Sequence, residues 1–251
     1  MATYTHGHEE AVLRSHRWRT AANSCAYLLP SLRGDESLLD VGCGPATITA
    51  DLASRVASVV GIDPSASVIE EARATNPALD LRVESLDEHA GTYDVVHAHQ
   101  VLHHLQDPVG ALRRMRSLGS LVAVRESDYG GFRWGPDSPA LDRWLEVFLA
   151  VMAHNRANPD AGRHLLHWAR EAGFSDVTYT TSTWTFAGED RTWWGEMWAD
   201  RCTSSSFAEQ AVAIGVTTSA ELATIAAGWR EWATDDGAAF VCLHGEIICR
   251  A

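Results

Sequence analysis

Apolar residues in the first half of the chain alternate between two spacings. Short continuous runs, of the length and composition of buried strands, occupy 38–41, 58–63, 79–84, 93–96 and 118–125. Between them, apolar positions recur every three or four residues, which is typical of amphipathic helices. Because strands that alternate with helices form a parallel sheet covered on both faces, we expect an α/β fold with a doubly wound, mostly parallel sheet.

The pattern changes in the second half of the chain. Ser138-Pro139 and Asn158-Pro159 each predict the start of a helix, because proline is favoured at the first helical position after a polar cap. Two further apolar runs, 177–186 and 238–249, predict strands. With these two, the predicted sheet has seven strands.

Long helical segments flank these last strands. About fifty residues, 187–237, separate the two strands, which is too many for a turn, and their apolar positions have helical spacing. We therefore expect a single domain spanning 1–251, with insertions at 138–158 and 187–237 that form a helical cap. Before the sheet, the spacing predicts a helix over 9–29, ended by Pro30.

Composition narrows the range of partners. The chain has 251 residues and a formal net charge of −13, without the basic runs that neutralise phosphates, so a nucleic-acid partner is not expected. Its five cysteines are scattered without a paired motif, as reduced cytoplasmic thiols are. Residues 1–10 lack a signal-peptide core and no apolar run has membrane-spanning length. We expect a cytoplasmic enzyme; a homodimer is compatible with these features.

The most informative stretch joins the first strand to the following helix. Gly42 and Gly44 interrupt the apolar pattern there, and a strand–glycine turn–helix unit presents backbone N–H groups to a ligand. Asp40 ends the strand, where a carboxylate would repel a pyrophosphate and would suit an ammonium or sulfonium group. Asp63 ends the next strand about twenty residues later, a position from which an acidic side chain reaches ribose hydroxyls.

Two motifs in this region closely resemble those of class I methyltransferases that use S-adenosylmethionine (SAM). They are Leu-Leu-Asp-Val-Gly-Cys-Gly-Pro at 38–45 and Val-Gly-Ile-Asp-Pro-Ser at 60–65. A third stretch, 93–108, resembles the loop after the fourth strand in methyltransferases of ubiquinone and menaquinone biosynthesis. The resemblance implies SAM as cofactor and a Rossmann-like methyltransferase fold. It also implies a SAM-binding core at 36–128 and an N-terminal lid at 1–30.

The same resemblance implies how the cofactor is held. Backbone groups of the two glycines would bind its methionine part, with Asp40 supporting the ammonium group directly or through water. Asp63 would take the ribose hydroxyls, and 84–86 would border the adenine. The implied cofactor-binding residues are Arg19, Asp40, Gly42, Cys43, Gly44, Asp63, Pro64, Ser65, Glu84, Ser85, Leu86, Ala98, His99, Gln100 and His104. Relatives often have glycine in place of Ala46, whose methyl group is tolerated only if the helix has already begun.

Four histidines, His97, His99, His103 and His104, lie within eight residues after the fourth strand. No flanking cysteines or acidic triad complete a ligand set, so a metal site is not expected. Histidine titrates near neutrality, so one of them could take a proton from the acceptor; packing beneath the cofactor is the alternative. The candidate catalytic residues are His99, His103 and Asp128.

Tryptophans are concentrated in the second half: nine of the ten follow residue 130. This distribution favours a packed aromatic core together with an aromatic-lined acceptor pocket. We therefore expect SAM-dependent methyl transfer to a small organic acceptor such as a quinol, phenol or amine. The alternatives are a SAM-fold cyclase that retains the cofactor and an NAD-dependent oxidoreductase. The latter fits worse, because Thr47 stands where the dehydrogenase fingerprint has its third glycine.

Overall fold

A single mixed β-sheet organises the chain in the computed structural model, which describes residues 15–250. The order along the sheet is β3-β2-β1-β4-β5-β8-β7, and β8 alone runs antiparallel to its neighbours. The strands are β1 (Ser37–Val41), β2 (Ser58–Asp63), β3 (Asp80–Val83), β4 (Tyr93–His99), β5 (Gly119–Ser127), β6 (Arg133–Gly135), β7 (Asp176–Ala187) and β8 (Ala239–Arg250). The prediction of an α/β fold with a mostly parallel sheet is confirmed.

The sheet has the seven predicted strands and one short addition. β7 pairs with β8 along its whole length, whereas β5 pairs only with residues 244–250 of β8. The other half of that edge is covered by β6, whose three residues pair with 239–241. β5 and β6 therefore pair with successive parts of the same edge of β8. Because β6 has only three residues, no apolar run in the sequence predicts it.

Helices lie between the strands and after β5. They are α1 (Thr47–Ala53), α2 (Ala66–Thr75), α3 (Pro108–Leu118), α4 (Pro139–His154), α5 (Ala161–Glu171), α6 (Glu189–Ser204), α7 (Ser206–Ala213) and α8 (Ser219–Thr234). As predicted, α4 begins at a proline behind the serine cap, and the Ser138 hydroxyl accepts a hydrogen bond from the Leu141 N–H. Within residues 15–250 no helix is both long and apolar enough to cross a bilayer.

Both faces of the central strands are buried, as a doubly wound sheet requires. Leu38 and Val95 contribute to a cluster on one face with Leu52 of α1. Their chain neighbours Leu39 and Val96 belong to the cluster on the other face, beneath α3 and α5. Successive side chains of a strand point to opposite faces, so continuous apolar runs are what two covered faces demand.

The inserted helices form a second, aromatic core against the outer half of β7 and β8. Trp144 of α4 packs edge-on against Trp198 of α6 and Trp229 of α8, with ring centroids 4.4 and 5.0 Å apart. Phe240 of β8 contacts both Trp144 and Trp229. Part of the tryptophan enrichment is therefore core packing, because Trp144 and Trp229 are fully buried.

The predicted helix over 9–29 is wrong for the described residues; 1–14 lie outside them. After residue 17 the chain leaves the helical conformation, and helix resumes only at Ala21–Ser24. Thr20 caps that short helix by accepting a hydrogen bond from the Asn23 N–H at 3.2 Å, and Pro30 lies inside a separate 3₁₀ turn. The interruption lets Trp18 pack edge-on against Trp184 of β7 at 5.2 Å. Tertiary aromatic packing thus overrides the local helical periodicity.

Candidate active site

The turn after β1 is held in a left-handed conformation at three positions. Gly42, Gly44 and Ala46 have φ values of 66°, 55° and 62°. The N–H groups of Gly42 and Cys43 both donate to the Ile62 carbonyl, at 2.8 and 3.0 Å, which curls the turn back over β2. Ala46 corrects the sequence expectation: α1 has not yet begun at this residue, and the alanine adopts the strained conformation.

Asp63, at the end of β2, closes this turn. One of its carboxylate oxygens accepts from the Gly44 N–H at 3.2 Å and the other from the Ser65 N–H at 2.9 Å. The side chain is half-buried, so it lies at the rim of the turn, and Pro64 beside it is exposed. Ser65 is the N-cap of α2. The glycine turn and the two residues after β2 therefore form one hydrogen-bonded unit.

Asp40 lies beneath the turn, inside the protein. Its carboxylate accepts from the Thr49 hydroxyl at 2.6 Å and bonds to the His97 ring at 2.8 Å, whose other nitrogen lies 3.2 Å from the Cys25 sulfur. Burial opposes the charged form of His97, but the Cys25 sulfur and the Asp40 carboxylate outweigh it and raise the pKa of His97 to about 10. Asp40 is 3% exposed and both its oxygens have protein partners. Thr49 and His97 therefore occupy both carboxylate oxygens, and Asp40 supports the turn from below.

Residues 84–86 follow the carboxyl end of β3, next to Asp63, because Val83 pairs with Asp63 across the two strands. The Glu84 carboxylate bonds to the His89 ring at 2.6 Å. Ser85 donates from its hydroxyl to Glu88, also at 2.6 Å, and Leu86 is half-buried. The predicted adenine side therefore does lie at the same sheet edge as the predicted ribose residue.

The loop after β4 crosses above the glycine turn. Ala98 is fully buried within the strand, whereas Gln100 takes a left-handed conformation with a φ of 55°. The Gln100 side chain accepts from Arg19 at 2.7 Å and donates to the Ser127 hydroxyl at 2.7 Å. Val101 touches the turn, since a Cβ added to Gly42 would lie 2.5 Å from its Cγ2 atom. Arg19, the predicted lid residue, is thus joined to the loop that borders the turn.

His103 is held by a residue that was not among the candidates from the sequence. Glu126, at the end of β5, bonds to the His103 Nδ1 atom at 2.6 Å. Its other carboxylate oxygen accepts from the Val101 and Leu102 N–H groups at 2.8 and 2.6 Å. Both partners are buried, at 2% exposure or less. A single carboxylate therefore fixes both the loop backbone and the orientation of the imidazole. The signal for Glu126 in the sequence was a charged residue at the end of an apolar strand.

The neighbouring histidines have a different environment. Burial, together with the positive charges of Arg19 and Arg125, holds the pKa of His99 well below its usual range. Neither ring nitrogen of His99 has a hydrogen-bond partner within the described chain. Burial also lowers the pKa of His104, whose ring lies 3.8 Å from that of His103. His99 and His104 are therefore held in the neutral form.

Asp128 belongs to a structural ion pair. It is 3% exposed, and both its oxygens bind the Arg163 guanidinium, one of them at 2.7 Å from Nε. It also accepts from the Gly131 N–H at 3.2 Å as the cap of a 3₁₀ turn. Both oxygens of Asp128 are thus occupied by protein donors, and among the candidate bases His103 lines the pocket described below, whereas Asp128 does not.

A pocket opens beside His103 at the carboxyl edge of the sheet. Its polar lining includes Arg19, Gln100, His103 and His104, together with Arg201 of α6. Its aromatic lining comes from the N-terminal segment, the turn after β5, β7 and α6, namely Trp18, Tyr129, Phe132, Trp184, Trp194 and Trp198. As predicted, the tryptophans contribute both to a packed aromatic core and to an aromatic-lined pocket.

Comparison with known proteins identifies the family of this chain. The profile of the methyltransferase-domain family matches residues 13–179. This chain belongs to that family. As a class I methyltransferase it uses SAM as its cofactor, in agreement with the two motifs at the glycine turn and after β2.

Relatives of this methyltransferase agree with the assignment. It is 29% identical to an uncharacterised methyltransferase of Schizosaccharomyces pombe, over 98% of this chain and 95% of that one. It is 33% identical to the ubiquinone biosynthesis O-methyltransferase of Vibrio parahaemolyticus, over 37% of this chain and 43% of that one. A putative methyltransferase of Bacillus halodurans has the same fold, with a TM-score of 0.54, 18% identity and coverage of 90% and 97%.

The glycine turn of the methyltransferase is open beside Gly44. A Cβ added to Gly44 would meet no heavy atom within 4 Å, so the space beside this residue is open. The half-buried Asp63 carboxylate lies at the same place and can accept hydrogen bonds from hydroxyl groups. An open backbone cradle beside an acidic side chain fits a ligand with a ribose and a charged amino-acid part.

The histidines at the end of β4 and in the following loop contact different partners. His97 is bonded to Asp40, His103 to Glu126, and the His99 ring packs 5.6 Å from Trp184. Among the residues that the structure describes, no three His, Cys, Asp or Glu side chains are grouped as metal ligands. All five cysteines are free and buried.

Proposed function

We propose that this methyltransferase methylates a hydroxyl group of a small, flat acceptor, and that His103 accepts the hydroxyl proton. One observation carries the proposal: His103 lines the aromatic pocket and is bonded to the buried Glu126 carboxylate. His103 lies on the loop whose Val101 contacts the glycine turn, so the pocket and the cofactor cradle share one boundary. We place the enzyme in cytoplasmic small-molecule metabolism, on its acidic charge and its reduced, buried thiols.

The cofactor would be held by the residues at the sheet edge. Backbone groups at Gly42 and Gly44 would bind the methionine part, the Asp63 carboxylate the ribose hydroxyls, and residues 84–86 the adenine. SAM, when bound, supplies an electrophilic methyl group on its sulfonium sulfur. The remaining residues would border this ligand or support its site: Arg19, Asp40, Cys43, Pro64, Ser65, Ala98, His99, Gln100 and His104.

Glu126 would set the protonation state that a base requires. Its carboxylate faces Nδ1 at 2.6 Å, so it would favour the tautomer with the proton on Nδ1, in which Nε2 is the proton acceptor. When Nε2 takes the acceptor's proton, the resulting imidazolium lies against the Glu126 carboxylate and is stabilised by it. His103 would thus act as general base and Glu126 as the residue that positions it.

The N-terminal segment and the inserted helices would enclose the two ligands. The Thr47 hydroxyl of α1 donates to the His16 carbonyl at 3.2 Å, and the Trp184 indole donates to the Asn23 carbonyl at 2.6 Å. These bonds tie the described part of the proposed lid, 1–30, to both the glycine turn and β7. Enclosure would exclude water and hold the acceptor in line with the transferred methyl group, an alignment worth up to about 7–11 kcal/mol.

The test is a methyl-transfer screen with labelled SAM across phenols, quinols and amines, followed by kinetics of His103→Gln and Glu126→Gln on the best phenol. We expect His103→Gln to lower kcat by about 10²–10⁴, with SAM affinity within a few-fold of the wild type. Glu126→Gln should shift the pH profile and reduce kcat less. His167→Gln, an exposed histidine on α5, is the matched control. Turnover of His103→Gln close to the wild type would show that His103 is not the base.

A further inference from the structure

The floor of the pocket is one face of the sheet where β5, β8 and β7 lie side by side. Ser127 of β5 pairs with His244 of β8, and Cys242, two residues before His244, pairs with Trp184 of β7. Residues that pair across antiparallel strands, or that lie two apart in one strand, have side chains on the same face. All four line the pocket, whereas Leu243, between two of them, is not among the described lining residues. This alternation indicates that side chains, including that of Ser127, form the floor.

Hydrogen bonds at this floor run in one direction. Arg19 can only donate, so the Gln100 atom that it meets at 2.7 Å is the amide oxygen. The Gln100 amide nitrogen therefore donates to the Ser127 oxygen at 2.7 Å and to the Nε2 atom of His244 at 3.0 Å. Nε2 can accept because the other ring nitrogen, Nδ1, donates to the Cys242 carbonyl at 3.0 Å. Burial keeps this imidazole neutral, since it holds the pKa of His244 well below its usual range.

The series of donors ends at Ser127 with one hydrogen left over. A serine hydroxyl can accept and donate at once, and the Ser127 oxygen already accepts from Gln100. Among the residues that the structure describes, this hydroxyl has no other hydrogen-bond partner. Ser127 is 2% exposed, and a buried donor is costly to leave unsatisfied. A ligand that brings an acceptor atom to Ser127 therefore gains affinity there.

We propose that Ser127 selects the acceptor: its hydroxyl donates a hydrogen bond to a carbonyl oxygen that the acceptor carries besides the reacting hydroxyl. His103 lines the same pocket, so one molecule can meet both residues. A carbonyl fits because it only accepts, whereas an ammonium group would place its donors against the Ser127 donor. The substrate class is thus a phenol with an uncharged carbonyl group. The inference rests on the proposed function, of which it specifies the substrate class.

Binding can be measured apart from methyl transfer, which separates the two proposals. The probes are the meta and para isomers of hydroxyacetophenone and of ethylphenol, titrated by calorimetry into the full chain saturated with S-adenosylhomocysteine. Each ketone and its ethyl counterpart have nearly the same shape, and only the ketone has an oxygen for Ser127. The ratio of their dissociation constants is the carbonyl preference. For the isomer that reaches Ser127, we expect this preference to be about 3- to 10-fold greater in the wild type than in Ser127→Ala, as one neutral hydrogen bond requires.

Two variants locate the interaction. Ser127→Ala should leave the affinities for ethylphenol and S-adenosylhomocysteine within a few-fold of the wild type. Gln100→Glu keeps the size of the side chain and places a carboxylate, which only accepts, beside the Ser127 hydroxyl. The Ser127 hydrogen should then turn toward residue 100, and the carbonyl preference should be lost although the serine is still present. The matched control is Ser58→Ala, an exposed serine of β2 that should keep the full preference.

The outcomes distinguish the two proposals. An equal carbonyl preference in the wild type and Ser127→Ala, for both isomers, overturns the inference even if the ketones are methylated. A wild-type preference in Gln100→Glu overturns the assigned direction of the Ser127 hydrogen, and this variant decides the question if melting temperatures show that Ser127→Ala does not fold. If the preference depends on Ser127 but no phenol in the screen yields S-adenosylhomocysteine, the carbonyl recognition stands and the proposed O-methylation fails.

Discussion

Asp63 is the residue whose side chain connects the glycine turn to the start of α2. Its two oxygens already accept N–H groups from Gly44 and Ser65, yet the side chain stays half-buried at the rim of the cradle. A carboxylate oxygen has lone pairs for more than one donor, so it can accept ribose hydroxyls as well. The same group therefore shapes the turn and lies where we propose that the ribose binds.

This double role gives a prediction for Asp63→Ala and Asp63→Asn. Charge-assisted hydrogen bonds contribute about 1.5–3 kcal/mol each, so Asp63→Ala should weaken SAM binding by about 10- to 100-fold. Asp63→Asn should lose less, because an amide oxygen still accepts from the turn. Calorimetry measures both, with the exposed Asp87→Asn as control. An unchanged dissociation constant for SAM in Asp63→Ala would show that Asp63 stabilises the turn but does not contact the cofactor.

At the residue scale, the sequence predicts which chemistry is present better than what each side chain contacts. Asp40 and Asp63 both end parallel strands, and the sequence treats them alike, but one is covered by Thr49 and His97 and the other lies at the rim. For the same reason Glu126 was not made a candidate, although the sequence places it at the end of the fifth strand. Its partner His103 lies on another strand's loop, and the pairing depends on β4 and β5 being neighbours.

At the scale of elements, Gly42 and Gly44 lie in the same turn but are required for different reasons. Gly42 and Gly44 have nearly the same left-handed backbone, so an alanine at either position costs about 1–2 kcal/mol from conformation. Their surroundings differ. A Cβ at residue 42 would collide with Val101, whereas a Cβ at residue 44 would enter the open space of the cradle.

Gly42→Ala should therefore mainly reduce stability, whereas Gly44→Ala should mainly weaken SAM binding. Gly42→Ala should lower the free energy of unfolding by more than Gly44→Ala, because a stiff β-branched side chain and its loop must move. Gly44→Ala should lose only about 1–2 kcal/mol but bind SAM much more weakly, since its methyl group occupies ligand space. Urea unfolding and calorimetry on both variants test this. Equal stability losses would contradict the assigned contact with Val101.

Elements with strong local signals were predicted well, and those set by tertiary contacts were not. β2 was predicted with the bounds that the structure shows, and α4 begins where its serine–proline signal indicated. The expected start of a helix at Asn158-Pro159 is displaced to Ala161, because Asn158 donates from its backbone to His103 at 2.7 Å and its amide to Leu105. Such long-range bonds have no signature in the local sequence.

At the scale of the whole molecule, two cores meet at the carboxyl edge of the parallel strands. The aliphatic clusters on both faces of the sheet hold the glycine turn, and the aromatic core of α4, α6 and α8 holds the pocket wall. The N-terminal segment joins them, through Thr47 on one side and Trp184 on the other. Localisation in the cytoplasm and assembly into a homodimer stay predictions.

Buried histidines at this junction make global stability depend on pH. Burial and nearby positive charges hold the pKa values of His99, His104 and His244 well below 6.5, the ordinary value that they regain on unfolding. Below pH 6.5 the unfolded chain therefore binds protons that the folded chain does not, and stability falls as the pH falls. His97 acts in the opposite sense: its raised pKa stabilises the fold below pH 6.5, and that contribution is lost as the pH rises toward about 10.

Removing one of these groups should reduce the acid sensitivity. Each fully neutral buried histidine costs up to about 1.4 kcal/mol per pH unit below its unfolded pKa. His99→Leu should flatten the loss of stability between pH 6.5 and 5 by about that amount, and it should not destabilise the protein at pH 7.5, because neither ring nitrogen has a partner to lose within the described chain. Urea unfolding at several pH values measures the slope. The exposed His167→Leu should leave it unchanged, and a slope in His99→Leu equal to that of the wild type would show that His99 titrates normally in the folded protein.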